Sequence, residues 1–454
     1  MTDVRGKKVL VQGLGHFGGG VGVARWLCAQ GAVVTVTDKE PAEKLKDSTA
    51  ALAGLPVTFV LGEHRVSDFE GCELLVVNPA VDKAKNEYVQ AAVRAGVPLT
   101  TEMNLFVERL REKGAFSIGI TGSVGKSTTT TLIFEALTAA VGGSGRKVFL
   151  GGNIGKSLLL ELENISSRDV VVLELSSFML EDTPRVEWSP DVAVATNLFA
   201  NHLDRHHTME EYGAVKRNIF KFQGRGGTAI LNGDHEVVRG WEKDARGRVV
   251  FYTTKGVEPL PLVIPGEHNQ SNARAALAVL GALPFEVDQS AGRRAVENFA
   301  GLSHRLQLVH TQEVGGKKLR WFNDSKATSP DASITALKAF APGTAVFIVG
   351  GYDKHIDMSE FEKLLAERAA GVIGIGQTGQ AFVDHVAGHG KIGAGRVAYA
   401  GTLDAAVGQA FAWAREGGIE AIVLSPASAS WGQFTNYEER GERFIALARA
   451  CGRP

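Results

Sequence analysis

The segment that decides the fold is Phe116-Ser117-Ile118-Gly119-Ile120-Thr121-Gly122-Ser123-Val124-Gly125-Lys126-Ser127-Thr128. A strand-length apolar run leads into a glycine-containing turn, and a helix-length stretch begins at Thr129. A Gly-Lys-Ser turn between a strand and a helix is typical of a phosphate-binding loop, where backbone amides and a lysine hold phosphate groups. The strict pattern has glycine where this chain has Ile120, so the loop is a variant. The residues predicted to bind phosphate are Gly122, Ser123, Val124, Gly125, Lys126, Ser127 and Thr128.

Polar residues follow two later strands of the same region. The apolar run Val170–Leu173 delivers Glu174 at its end, where open α/β sheets bind ligands and where a carboxylate suits a magnesium ion bridging phosphates. The segment Asn201–His206 follows the next strand, predicted at Val192–Thr196. A single loop histidine is more often a surface residue, but this position favours a role for His202 in the phosphate site.

A second glycine-rich turn lies near the N-terminus. Gly13-Leu14-Gly15-His16-Phe17-Gly18 fits G-x-G-x-x-G after the strand Lys7–Gln12, and Asp38 ends the next strand. Glycines permit close approach of the backbone to phosphate, and the acid can accept a ribose hydroxyl. The pattern indicates a nucleotide site without specifying the nucleotide.

Strand-like runs alternate with helix-length stretches almost from end to end, which predicts an α/β fold with parallel sheets and crossover helices. The length of 454 residues suggests about three domains. The pattern restarts near Pro98–Thr101 and again after Gly301–Arg305. We therefore expect domains at residues 1–100, 101–303 and 304–454.

Composition limits the classes of function. Lys and Arg number 49 against 50 Asp and Glu, so the overall charge gives no reason to expect nucleic acid or a membrane as partner. The cysteines, Cys28, Cys72 and Cys451, are too few for a disulfide framework, which indicates a reducing compartment. The first residues are charged and lead into a strand without a secretory signal pattern. We expect a cytoplasmic protein.

Motifs along nearly the whole chain resemble those of the Mur ligases of peptidoglycan synthesis. They are Thr121–Ser127, Glu174–Phe178, Asn201–His206 and Asn323–Thr328. The segment Leu424–Gly441 is similar to that of the members that add D-glutamate. The resemblance implies a Rossmann-like N-terminal domain for the UDP of the substrate, a central P-loop ATPase-like domain with a mostly parallel sheet, and a Rossmann-like C-terminal domain for the amino acid.

The resemblance also implies an activity. It is an ATP-dependent carbon–nitrogen ligase adding D-glutamate to UDP-N-acetylmuramoyl-L-alanine through an acyl phosphate and a tetrahedral intermediate. The implied cofactors are ATP and two Mg²⁺ ions, and the implied partners are small-molecule substrates. We expect no nucleic acid or membrane partner, and we expect a monomer. Positioning and charge neutralisation carry most of the catalysis in such phosphoryl transfer.

Site residues follow from the matched motifs. Catalytic roles fall on Lys126, Glu174, His202, Lys216 and Lys326. ATP binding, besides the phosphate loop, falls on Asn272, Arg305 and Asp324. The UDP substrate is expected at Gly13, Gly15, His16, Phe17, Asp38, Asn153 and Ser176. D-glutamate is expected at Thr328, Lys354, Ser430 and Tyr437. Magnesium ligands are expected to be Ser127, Glu174, His202 and a carbamylated Lys216.

Other functions stay open from the residues alone. A nicotinamide-dependent oxidoreductase would use the first glycine turn but leaves Lys126, Glu174 and His202 without a role. A nucleotide-driven switch would hydrolyse ATP without an acceptor. Within the family, the segments typical of members that add L-alanine or a diamino acid were not found in this sequence, and folylpolyglutamate synthases lack the N-terminal UDP domain.

Overall fold

The structure is a computed structural model that describes residues 2–15, 18–389, 392 and 395–452. Contacts divide the chain into two compact units. The first unit runs to Glu258 and also includes Ser271–Val296, and the second comprises Pro259–Gln270 and the chain from Glu297 onward. The first unit holds two sheets and the second holds one.

The first sheet is parallel throughout, with strand order β3-β2-β1-β4-β5. Its strands are β1 (Lys8–Gln12), β2 (Val33–Asp38), β3 (Val57–Leu61), β4 (Leu74–Val77) and β5 (Leu99–Thr100). The helices of this part are α1 (Gly19–Ala29), α2 (Lys46–Ala50), α3 (Val66–Gly71), α4 (Glu87–Arg94) and α5 (Glu102–Lys113). The strand order reverses beside β1, so the glycine turn after β1 lies at a switch point, where such sheets bind ligands. The Rossmann-like prediction is confirmed.

The second sheet is also parallel, with order β11-β10-β9-β6-β8-β7. Its strands are β6 (Phe116–Thr121), β7 (Val148–Gly152), β8 (Val170–Glu174), β9 (Val192–Ala195), β10 (Thr228–Asn232) and β11 (Arg248–Tyr252). Its α-helices are α6 (Lys126–Ala140), α7 (Ser177–Leu180), α8 (Leu203–His206), α9 (Met209–Lys221) and α10 (Glu236–Arg239), and they are followed in the chain by α11 (Glu267–Ala282) and α12 (Gln289–Glu297). Short 3-10 turns lie at Leu158–Asn164, Thr183–Val186 and Gly240–Asp244.

The register of the second sheet aligns the strand ends that matter for function. Ile120 on β6 pairs with Glu174 on β8, and Thr121 pairs with Ala195 on β9. The loops that leave these three neighbouring strands therefore emerge side by side at one edge of the sheet. Buried residues from the first and second sheets, such as Val9 and Val171, belong to one continuous core.

The third sheet is mixed, with order β12-β13-β17-β14-β15-β16. Its strands are β12 (Gln307–Val314), β13 (Lys317–Asn323), β14 (Ala345–Val349), β15 (Gly371–Ile375), β16 (Val397–Gly401) and β17 (Ala421–Leu424). Its helices are α13 (Pro330–Lys338), α14 (Ser359–Arg368), α15 (Gly376–His389), α16 (Leu403–Glu416) and α17 (Tyr437–Ala450). Only the β12–β13 pair is antiparallel within the described residues, because a short turn joins these two strands. The parallel part fits the Rossmann-like expectation, and the antiparallel edge strand adds to it.

Burial of both faces explains the apolar central strands of the third sheet. Ala345, Phe347 and Val349 of β14 pack into one core cluster, while Val346 and Ile348 pack into another. A parallel sheet covered by helices on both faces buries consecutive residues in this way. The exact boundaries of the three predicted domains stay a prediction.

Candidate active site

The phosphate loop joins β6 to α6. Gly125 precedes the helix in the left-handed region, with φ of 78°. Lys126 Nζ donates hydrogen bonds to the carbonyl oxygens of Gly122 at 2.9 Å and Ser123 at 3.0 Å. Ser127 and Thr128 lie in the first turn of α6, whose backbone amides have no acceptor within the helix. The loop thus brings a helix N-terminus and a lysine together, and binding of phosphate there stays a prediction.

Asn197, two residues beyond β9, holds the loop in shape. Its Oδ1 accepts hydrogen bonds from the backbone amides of Ser123 and Val124, both at 3.0 Å. Its Nδ2 donates to the carbonyl oxygen of Val124 at 3.0 Å. Ser123 Oγ in turn accepts a hydrogen bond from the Phe199 amide at 2.9 Å. Sequence reasoning gave Asn197 no role, because an asparagine after a strand also fits an ordinary turn.

Glu174 and Lys216 form a buried charged group beside the loop. Glu174 is 1% exposed, and its Oε1 accepts a hydrogen bond from Asn153 Nδ2 at 2.9 Å. Its Oε2 is buried and has no hydrogen-bond partner among the described residues. Lys216 on α9 is also 1% exposed, and its Nζ donates to the Gly122 carbonyl at 2.9 Å. Burial, reinforced by the charge of Lys126 and opposed by Glu174, lowers the pKa of Lys216 to about 7.

His202 lies at the start of α8 in the left-handed region, with φ of 54°. Its ring packs on Phe178, with centroids 4.9 Å apart, and Phe178 also stacks on His206. Desolvation and the nearby charges of Lys126 and Lys216 lower the pKa of His202, against the opposing effect of a neighbouring aspartate. A lowered pKa favours the neutral imidazole, the form that ligates metals.

Asp38, expected to accept a ribose hydroxyl, accepts hydrogen bonds from backbone amides of the first glycine turn and of the chain after β2. Asp38 Oδ2 accepts hydrogen bonds from the amides of Leu14 at 2.8 Å and Gly15 at 3.2 Å, and Oδ1 accepts one from the amide of Glu40 at 2.9 Å. The carboxylate therefore shapes the turn, and its contact with a ribose stays a prediction. Gly13 and Gly15 have φ of 92° and 62°. The remaining two predicted residues of this turn, His16 and Phe17, lie outside the described residues.

Two further residues predicted to contact the UDP substrate lie beside the phosphate loop in the same unit. Asn153 follows β7 and bonds to Glu174, as described above. Ser176 caps α7, where its Oγ accepts a hydrogen bond from the amide of Met179 at 3.3 Å. Asn272, predicted to bind ATP, lies on α11, and its Oδ1 accepts a hydrogen bond from Thr129 Oγ1 on α6 at 3.0 Å.

The second unit carries the other predicted residues. Asp324, just after β13, accepts hydrogen bonds from the Leu306 amide at 3.0 Å and from Ser425 Oγ at 2.8 Å. Burial raises the pKa of Asp324 to about 7, although these hydrogen bonds and Arg305 oppose the shift. Lys326 is exposed, and its Nζ lies 5.1 Å from the centroid of the Tyr437 ring.

The residues predicted to bind D-glutamate lie on loops of the same unit. Thr328 follows the Lys326 turn, and its amide donates to the Lys326 carbonyl at 2.9 Å. Lys354 lies on the loop after β14, with its Nζ 5.6 Å from the centroid of the Trp431 ring. Ser430 is 5% exposed and, together with Trp431, lines a cavity of about 280 Å³.

Arg440 on α17 is a buried cation of the second unit for which the sequence predicts no role. Its guanidinium is fully buried and donates to Ser325 Oγ at 2.9 Å, to the Ser325 carbonyl at 2.8 Å and to the Ser428 carbonyl at 3.1 Å. These acceptors are neutral, and burial lowers the pKa of Arg440 to about 10. The side chain joins the turn after Asp324 to the loop before Ser430. An arginine in a charged helix resembles a solvated one, so the sequence carried no signal of this burial.

No membrane-spanning candidate is found among the helices within residues 2–15, 18–389, 392 and 395–452. The same part of the chain contains no cluster of three or more His, Cys, Asp or Glu side chains arranged to hold a metal ion.

Three family models match consecutive parts of the chain. The MurD-like N-terminal domain of Mur ligases matches residues 7–101, the Mur ligase middle domain matches 120–260, and the Mur ligase glutamate ligase domain matches 304–428. The UDP-N-acetylmuramoylalanine–D-glutamate ligase of Symbiobacterium thermophilum is 38% identical, over 95% of this chain and 97% of its own length. The enzyme of the same name from Acetivibrio thermocellus is 35% identical, over 98% and 97%.

The chain belongs to the Mur ligase family. Solved structures of Mur ligases share its fold at low sequence identity. The UDP-N-acetylmuramate-alanine ligase MurC of Thermotoga maritima aligns with a TM-score of 0.55 and 19% identity, over 98% of this chain and 99% of that one. The MurF ligase of Thermotoga maritima, solved in complex with ADP, aligns with a TM-score of 0.54 and 17% identity, over 99% and 95%. The predicted fold and family are therefore confirmed.

Proposed function

We propose that this Mur ligase adds D-glutamate to UDP-N-acetylmuramoyl-L-alanine at the expense of ATP, in the synthesis of peptidoglycan precursors. The observation that carries the proposal is identity of 33–38% along nearly the whole chain to enzymes named for that reaction. The phosphate loop with the adjoining buried Glu174 supports it, because that arrangement suits transfer of a phosphoryl group.

The proposed reaction has two steps. A carboxylate oxygen of the substrate's L-alanine attacks the γ phosphorus of ATP, and the bond to ADP breaks, which leaves an acyl phosphate. The D-glutamate amine then attacks the acyl carbon, and the tetrahedral intermediate loses phosphate and a proton to give the amide. Lys126 and the first-turn amides of α6 would hold the β and γ phosphates. Lys326 would approach the transferred phosphate, while Asn272, Arg305 and Asp324 would bind ATP.

The residues of the site fit magnesium. Glu174 Oε2 is a buried carboxylate oxygen without a hydrogen-bond partner in the described chain, and such an atom is costly unless a cation or donor meets it. We assign Ser127 and Glu174 as ligands of one ion, and Glu174 and His202 as ligands of a second. Magnesium bound there would neutralise charge on the phosphates.

We further propose that Lys216 is carbamylated in the active enzyme. Its amine is buried beside Glu174, and a pKa of about 7 leaves much of it neutral and nucleophilic near neutral pH. The neutral amine attacks carbon dioxide, a nitrogen–carbon bond forms, and one proton is released. The product is an anion with carboxylate-like oxygens, which supplies ligands for magnesium where an ammonium group would repel it.

The substrate sites complete the proposal. We assign the UDP substrate to the turn of Gly13, Gly15, His16, Phe17 and Asp38 together with Asn153 and Ser176. We assign D-glutamate to Thr328, Lys354, Ser430 and Tyr437, where Lys354 supplies a cation for a carboxylate. The proposed partners are these small molecules alone, with the chain acting as a cytoplasmic monomer.

The test is phosphate release from ATP and magnesium in the presence of UDP-N-acetylmuramoyl-L-alanine. D-glutamate, L-glutamate, L-alanine and L-lysine are compared as acceptors. We expect phosphate and a new amide with D-glutamate only. Turnover of ATP that is indifferent to every acceptor would contradict the proposal and favour a nucleotide switch.

A further inference from the structure

Trp431 is an unusual tryptophan in this protein. Trp431 is 55% exposed, whereas the five other tryptophans are at most 5% exposed. Trp431 also lines a cavity, where its exposed ring offers apolar surface and a π face to a bound molecule. The Tyr352 ring contacts the Trp431 ring, with centroids 5.5 Å apart, and the Tyr352 amide donates to the carbonyl of Ala429, two residues before Trp431, at 2.9 Å.

Lys354 lies over the face of this indole, with 5.6 Å between Nζ and the ring centroid. Lys354 makes no ion pair with any carboxylate in the part of the chain that the structure describes. The nearest carboxylate in sequence, that of Asp353, is engaged by His355, through its amide at 2.7 Å and its Nδ1 at 3.3 Å. The indole therefore orients an ammonium group whose charge has no protein counterpart.

The cavity that Trp431 lines has the size and charge for a small anionic molecule. Its volume is about 280 Å³, and its lining includes Tyr352, Ser430 and the buried Arg440. Arg440 donates hydrogen bonds to the neutral oxygens of Ser325 and Ser428. Lys354 is connected to the cavity through Trp431, a lining residue whose ring centroid lies 5.6 Å from Lys354 Nζ. Two cations and aromatic walls suit a molecule with carboxylates joined by a short apolar chain.

We propose that Trp431 is a positioning residue for the acceptor amino acid. It holds the Lys354 ammonium group by a cation–π contact, so that a carboxylate of the incoming dicarboxylic amino acid meets a cation that is already oriented. This inference rests on the proposed function and deepens it. Preorganisation of this kind strengthens binding of the acceptor and leaves the chemical steps unchanged.

Kinetics with the full-length enzyme test the coupling. We expect Trp431→Leu to raise KM for D-glutamate about fivefold with kcat nearly unchanged, and Trp431→Phe to restore most of the loss because the ring face is kept. Lys354→Ala should raise KM further, and the double variant should be no worse than Lys354→Ala, because both changes remove one interaction. Additive effects, or a fall in kcat without a rise in KM, would overturn the proposal. Lys363→Ala, an exposed lysine on α14, is the matched control.

Fluorescence gives an independent readout. Because Trp431 is the exposed tryptophan, acrylamide quenching of wild-type emission should report mainly on it. With UDP-N-acetylmuramoyl-L-alanine and a non-hydrolysable ATP analogue present, D-glutamate should reduce the quenching, and L-glutamate should not. Trp413→Phe, which removes a buried tryptophan of the same unit, should keep this response, and Trp431→Phe should lose it.

The outcomes separate the inference from the proposed function. Suppose that the wild-type enzyme forms product with D-glutamate, but that substitution of Trp431 changes neither KM nor the effect of D-glutamate on quenching. The inference is then wrong and the function stands. If the wild-type enzyme forms no product with D-glutamate, the proposed function is wrong and the inference falls with it.

Discussion

Lys216 Nζ lies 2.9 Å from the carbonyl oxygen of Gly122, although 94 residues separate them in sequence. The contact joins α9 to the phosphate loop, and it brings a buried lysine within electrostatic reach of Glu174. A helix that passes over the loop therefore supplies a group whose charge state matters for any bound phosphate. This relationship is what allows a residue remote in sequence to belong to the active site.

Replacing Lys216 should cause a loss of activity that added small carboxylates partly restore. We expect Lys216→Ala to lose activity by at least about a hundredfold, because the anionic ligands that carbamylation would supply are gone. Added acetate or propionate should restore part of it by occupying the space with a carboxylate. Activity is measured as phosphate release, and Lys221→Ala, an exposed lysine at the end of the same helix, serves as control. Equal inactivity with and without carboxylates would count against carbamylation.

Glu174→Gln should separate the carboxylate charge from the shape of the side chain. The amide oxygen can still accept the hydrogen bond from Asn153, so we expect the fold to persist. The loss of an anionic ligand should raise the half-saturating magnesium concentration about tenfold or more. Magnesium titration of phosphate release measures this, with the exposed Glu163→Gln as control. An unchanged magnesium requirement would remove Glu174 from the metal site.

The buried Asp324 should make stability depend on pH. Its pKa is raised from 3.8 to about 7, so between these values the folded state binds a proton that the unfolded state has lost. Wild-type stability should therefore fall as pH rises through this window, and Asp324→Asn should remove that contribution. The Tm of wild type minus that of the variant should decrease between about pH 4 and about pH 7. Asp331→Asn, an exposed aspartate on α13, is the control, and a difference in Tm that is constant with pH would contradict this assignment.

The strands that the sequence predicts are the inner ones of each sheet. The predicted runs Val170–Leu173 and Val192–Thr196 correspond to the inner strands β8 and β9, and both strands are fully buried. The missed strands are the two edge strands of each sheet, and each is only partly buried: β3, β5, β7, β11, β12 and β16. An edge strand faces solvent and needs no continuous apolar run, so the pattern that reveals inner strands is weaker there.

Some residues of the candidate site could be predicted from the sequence, and others could not. Lys126 at the start of α6 and Glu174 at the end of β8 were candidates from the sequence because strand, turn and residue type agree. Lys216 and Arg440 lie within charged amphipathic helices, where a cation is ordinarily solvated. Their burial depends on which helix face packs inward, a property of tertiary contacts. The role of Lys216 was reached through the family resemblance, and Arg440 was assigned no role.

Gly122→Ala should disrupt the phosphate loop through an identifiable clash, which adds to the backbone strain of a side chain at φ of 157°. A Cβ at this position would overlap with Thr196 Oγ1 after β9, and that hydroxyl bonds to the carbonyl of Val124 at 3.2 Å. We expect a loss of about 1–3 kcal/mol in stability, together with at least about tenfold weaker ATP binding. Binding of ATP by calorimetry and urea denaturation measure the two effects.

A second substitution tests this cause. Thr196→Ala removes the overlapping hydroxyl, so the double variant Gly122→Ala/Thr196→Ala should bind ATP better than Gly122→Ala alone. Gly224→Ala is the matched control, because a Cβ there meets no atom within 4 Å and the backbone is not in the left-handed region. If the double variant binds ATP no better than Gly122→Ala, the clash with Thr196 is not the reason that this position is glycine.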